Sequence, residues 1–127
     1  MLTTACSTMP GDWPAMAMDP LTYWATAVDA STADRDSMWQ AARRDDVEWQ
    51  LALLQSLPDY HRYDPESARR RLKAVLERNP YGEVAALAQV RLADLASRKA
   101  CQSQVAELQR RLSDVIAIER RLDDNGR

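Results

Sequence analysis

Residues 105–122 read VAELQRRLSDVIAIERRL. Val105, Leu108, Leu112, Val115 and Leu122 recur at alternating spacings of three and four, and Glu119 takes the remaining place in that series. Such spacing keeps side chains on one side of a helix. The stretch therefore reads as helix with an apolar seam, and Ile116 and Ile118 widen the face beyond one narrow line. Upstream, Val84, Leu87, Ala88, Val90, Leu92 and Leu95 continue the helical pattern to a start at Gly82 and Glu83. Between the two apolar parts lies Ser97 to Gln104, too polar for a buried seam. A helix of about 40 residues would span roughly 60 Å at 1.5 Å per residue, whereas a compact body of this size is only some 30 Å across. The C-terminal half is therefore expected to project, or the helix to break near Lys99.

Earlier segments give the same class of element. Asp64, Pro65 and Glu66 are a cap, a first-turn proline and a first-turn acid, a strong helix start. Ala68, Leu72, Val75 and Leu76 form the apolar stripe that follows, and Asn79-Pro80 stops it. A second helix is expected from about Thr32 to Leu57, capped by Ser31 or Thr32. Its stripe is Met38, Ala42, Trp49, Leu53 and Leu57, with Trp39, Leu51 and Leu54 beside it. Arg43, Arg44, Asp45, Asp46 and Glu48 form its wet side, and Pro58 ends it. The first helix is expected from Leu21 to Ala30, behind Pro20, with Tyr23, Trp24, Ala27 and Val28 on one face. The loop Asp59 to Tyr63 carries His61. Pro10, Gly11, Pro14 and Pro20 break up the start of the chain, so residues 1–19 read as a tether whose Trp13, Met16 and Met18 latch onto the body or a partner.

The 127 residues suggest one domain, and only three glycines, with no phenylalanine, argue against a turn-rich β-fold. The expected class is all-α: a small body of three helices (20–97) with a long C-terminal helix, partly coiled-coil-like (98–127). A formal net charge of −2 with interleaved signs leaves no nucleic-acid footprint. The triplet Arg69-Arg70-Arg71 reads as a solvated helix face. No run of 18 apolar residues exists to span a membrane.

No constellation of residues in the sequence points to catalysis. His61 is the only histidine, and with two cysteines it makes no zinc site. With Gly only at 11, 82 and 126, there is neither a phosphate-cradling loop nor a Gly-x-Ser-x-Gly elbow. Asp45-Asp46 and Asp123-Asp124 are adjacent pairs that do not face each other on a helix. No catalytic residue, cofactor or metal is expected. Trp24, Trp39 and Trp49 read first as core in place of the missing phenylalanine; the sharper alternative makes one of them, with Tyr60 or Tyr63, an interface anchor.

The apolar seam at the end of the last helix is the strongest interaction signal, because an exposed apolar surface of that length marks a contact site. Its cover is another copy, a partner helix, or the protein's own second helix. Glu119 within it disfavours simple self-pairing and selects a partner with a matching base. In the alternative, the second helix folds alongside and Glu119 pairs with Arg43 or Arg44.

The ends of the chain resemble a known family. Thr4-Ala5-Cys6 resembles the close of a bacterial lipoprotein signal, whose Cys receives the lipid; the alternative is a free thiol in a disordered leader. Tyr23-Trp24 with the alanine-rich turn at Asp29, and Leu112 to Leu122 with Ile118-Glu119-Arg120-Arg121-Leu122, resemble the two ends of the folded part of QseG (YfhG)-type lipoproteins. The resemblance implies a non-enzymatic protein lipidated at Cys6 and anchored at the periplasmic face of the outer membrane, with Ser7 agreeing with export there. The implied partner is the periplasmic domain of a QseE-type sensor histidine kinase. The seam of the last helix makes Leu108, Leu112, Val115, Ile118, Glu119, Arg120 and Leu122 the expected contact residues, and a homodimer is the other expected use of the same face. The helix–turn–helix from Pro65 to Leu95 also looks like one tetratricopeptide unit, and so like a scaffold in envelope assembly, but no second copy follows at that period.

Overall fold

The structure, a computed structural model, describes residues 18–126. The expectations for Cys6, Trp13 and Met16 lie outside the described residues. All regular structure among the described residues is helical: α1 (Pro20–Asp29), α2 (Thr32–Arg44), α3 (Glu48–Gln55), α4 (Pro65–Arg78) and α5 (Glu83–Asn125). By its internal contacts the chain divides after Ala93, so α5 contributes to two units, residues up to Ala93 and residues from Asp94 on. The helix continues through Lys99 without a break.

Each start has a local cause. Asp19 caps α1, its carboxylate accepting from the Thr22 N–H (2.9 Å) and the Thr22 hydroxyl (2.7 Å). Those two bonds stabilise its charged form and hold its carboxyl below the usual range. Ser31 caps α2 through the Asp34 N–H at 3.2 Å. Asp64 caps α4 through the Ser67 N–H at 3.0 Å, with Pro65 in the first turn. Gly82, at φ +101°, supplies the left-handed residue before α5, and its carbonyl accepts from the Ala86 N–H at 3.0 Å.

The single helix expected from Thr32 to Leu57 is two helices. Between Ala42 and Trp49 no side chain of its apolar stripe occurs, so nothing holds that turn to the core. The chain reverses there in a Schellman motif. Asp46 takes φ 55°, the Asp46 N–H donates to the Arg43 carbonyl (3.3 Å), and the Val47 N–H donates to the Ala42 carbonyl (2.9 Å). The body therefore has four helices ahead of α5 rather than three.

In the first unit α3 is central, packing most on α4 and α2 and less on α1. Met38, Trp39, Ala42, Leu51, Leu53, Leu54 and Leu57 are buried together with Tyr23, Ala27 and Tyr60. Met18, Trp24, Trp49 and Leu87 pack against that cluster. Ala68 and Leu72 are fully buried; Val75 and Leu76 of the same stripe are half-buried. Trp49 and Leu53, Leu72, and Val84, Leu87 and Ala88 meet around one narrow crevice, which joins α3, α4 and the start of α5. Two apolar expectations are corrected. Val28 and Val90 are exposed, because Arg35 and Arg91 take the inward places near them.

Arg35 is 3% exposed. Its Nε donates to the Ala27 carbonyl (2.8 Å), one terminal nitrogen to the Val28 carbonyl (2.8 Å), and the other pairs with Asp59 at 3.2 Å. Arg91 donates to the Ser56 hydroxyl (3.2 Å) and carbonyl (3.0 Å), and its guanidinium stacks 4.3 Å over Trp24.

Two consequences can be measured. Replacing Asp46 by glycine removes the cost of a side chain in left-handed backbone, so Asp46→Gly should stabilise the fold by roughly 0.5–1 kcal/mol in denaturant titration. Burial raises the Tyr23 phenol, and burial followed by donation to Asp36 raises that of Tyr60. A group raised in the folded state contributes stability below its unfolded pKa and loses it above. Stability should therefore fall as pH rises past about 10, and Tyr23→Phe or Tyr60→Phe should flatten that fall.

Candidate protein-binding face

From Asp94 on, α5 is built of strong helix formers laced by short-range ion pairs. Asp94 meets Arg98 at 3.0 Å, and Glu107 meets Arg110 at 2.6 Å and Arg111 at 3.2 Å. Pairs three and four apart support a helix by a few tenths of a kcal/mol each. The apolar series is outside: Val105, Leu108, Leu112, Val115, Ile116, Ile118 and Leu122 are each between 41% and 66% exposed. Glu119 sits within the series and is also exposed. Arg44 lies against Asp45 at 3.4 Å. Arg120 is exposed on the edge of the stripe. Cys101 is a free, exposed thiol on the same helix.

The other places that might have carried chemistry are structural. His61 Nε2 lies 3.3 Å from the Asp36 carboxylate, and the Tyr60 hydroxyl donates to the same carboxylate at 2.5 Å. The Arg62 guanidinium covers Trp39 at 5.0 Å. These contacts pin the loop between α3 and α4 onto α2; they present no nucleophile with a base. Among the described residues no group of three metal-ligating side chains exists, and no helix is long and apolar enough to cross a membrane. Arg69 pairs with Glu66, and Arg71 pairs with Glu48 at 2.6 Å.

The described tryptophans belong to the core or pack against it. Trp39 is buried, Trp49 meets Tyr23 edge-on at 5.2 Å between ring centres, and Trp24 lies beneath Arg91. Tyr60 is only 2% exposed, which tells against the alternative that made it an interface anchor: its ring is committed to the core and its hydroxyl to Asp36. Tyr63 is half-buried. Arg35 and Arg91 were not legible as buried residues, because each sits in its helix among other charges and only the tertiary placement of carbonyls and Ser56 answers them. No family model, no curated protein and no solved structure matches this chain.

Proposed function

We propose that this protein is a lipid-anchored accessory protein. In this reading Cys6 carries the lipid, and the apolar face of α5 binds the periplasmic domain of a two-component sensor histidine kinase and modulates its signalling. The anchoring and the choice of partner rest on the sequence resemblance. One structural observation supports a binding role: seven large apolar side chains between Val105 and Leu122 lie exposed on one helix. Leaving that surface in water is costly, at about 25 cal/mol per Å² of apolar area. The heptad spacing of the seam suits a coiled-coil-like contact with a partner helix. An alternative, a scaffold of tetratricopeptide type in envelope assembly, draws on the hairpin of α4 and the start of α5. A neighbouring sensor-kinase gene favours the first reading and an assembly operon the second.

The binding reading is tested by capture of periplasmic sensor domains on the immobilised protein. Leu112→Asp or Ile118→Asp should abolish capture while circular dichroism and melting of residues 20–95 change little. If those substitutions unfold the body as well, the face belongs to the core and the reading is wrong. The anchoring is tested separately. With its native upstream sequence the protein should fractionate with membranes and carry lipid on Cys6, and Cys6→Ser should leave an unprocessed precursor. An unmodified Cys6 thiol in the intact mass would sink it.

A further inference from the structure

The series on α5 extends further than its apolar part. Counting back from Val105 by four and then three reaches Cys101 and Arg98, so the full seam is Arg98, Cys101, Val105, Leu108, Leu112, Val115, Glu119 and Leu122. It has a four-residue apolar block, Val105 to Val115, with a base on one side and an acid on the other. All eight residues are exposed.

A parallel second copy would set Glu119 against Glu119 and Arg98 against Arg98, two like-charge contacts in one seam. An antiparallel second copy behaves differently. Laying the apolar block on itself puts Leu108 opposite Leu112 and Val105 opposite Val115, each twice by symmetry. The same register carries Glu119 opposite Cys101 of the second copy. Arg98 of that copy is then three residues away, about 4.5 Å along the axis, in the equivalent heptad position. Both ends of the pair gain an opposite-charge contact, and Leu122 lies over the aliphatic stem of Arg98. Arg98 can exchange its present partner, since Asp94 is a half-buried neighbour four residues back on the same helix, and pairs of that spacing contribute little.

We infer that the exposed seam of α5 pairs with a second copy of this chain, antiparallel and centred between Leu108 and Leu112, with Glu119 of each copy facing Arg98 of the other. This rests on the reading of that face as a protein contact and gives it a regulation. The self-paired form holds the face when no partner is bound, and a partner helix must displace the second copy to reach it.

Sedimentation of the full chain should show a concentration-dependent species of twice the monomer mass. Glu119→Arg alone, or Arg98→Glu alone, places like charges together at both ends and should weaken pairing by about tenfold or more. An equimolar mixture of those two variants should pair, and so should the double variant, because each restores the opposite charges. Circular dichroism confirms that the exposed substitutions leave the helix formed. Orientation has its own readout. In the antiparallel register the two Cys101 are 18 residues apart along the seam, roughly 27 Å, so oxidation of Cys6→Ser protein should give no linked dimer. A wild-type chain that stays monomeric, single variants that pair like wild type, or a disulfide through Cys101 would each overturn the inference. Capture of the sensor domain is scored independently. Charge variants that are monomeric yet still capture it leave the binding reading intact, whereas a chain that pairs but captures nothing fails that reading alone.

Discussion

A buried guanidinium is tolerable only when its N–H groups are answered, and the first unit of this fold is organised around one that is. Arg35 enters from the first turns of α2 and donates to the carbonyls of Ala27 and Val28 at the end of α1, while Asp59 in the loop between α3 and α4 offsets its charge. One side chain fixes three segments: the end of α1, the start of α2 that follows it, and the loop leading to α4, which is farther along the chain. The aromatic contacts then follow. Tyr60 is held beneath Arg35 at 5.9 Å from its guanidinium and bonded to Asp36. Breaking such a site by removing one partner leaves uncompensated groups in the interior, which is far more costly than the net worth of the pair. Arg91 repeats the solution, tying the first turns of α5 to Ser56 and Trp24.

Much of this arrangement can be read from residues that act locally. Asp64-Pro65 begins α4, Pro20 begins α1, and the stripe Ala68–Leu72 faces inward, because caps and periodicity depend only on near neighbours. The break between α2 and α3 is invisible to the same logic. It uses Asp46, not glycine, in the left-handed position, and no proline marks it. What ends α2 is the lack of an apolar residue to hold one more turn down. The inward arginines are hidden for a related reason. A charged residue at the edge of an apolar stripe reads as solvent-facing unless the carbonyls that will receive it are known. In the last helix the face from Val105 to Leu122 was plain from spacing, but spacing does not say what covers it.

The two parts of α5 are stabilised by different means. Up to Ala93, side chains such as Leu87 and Arg91 share the core of the first unit. Beyond the buried Leu95, described side chains are mostly exposed, and those that have partners meet them in ion pairs along the helix itself. Helices that lack a packed face are only marginally stable in water unless they are long and rich in good formers. A face that waits for a cover is thus also a helix that gains order when covered.

That difference has a consequence for how the chain ages. Amide protons in the packed turns of α5 exchange only when the whole first unit opens, while those beyond exchange through fraying of a single helix. Trypsin-like proteases need an unwound strand, and the second part of α5 offers them Arg98, Lys99, Arg110, Arg111, Arg120 and Arg121. An uncovered copy is therefore trimmed from its C-terminal side first; were the proposed contact to cover the helix, that copy would be spared, and proteolytic lifetime would report whether the face is occupied.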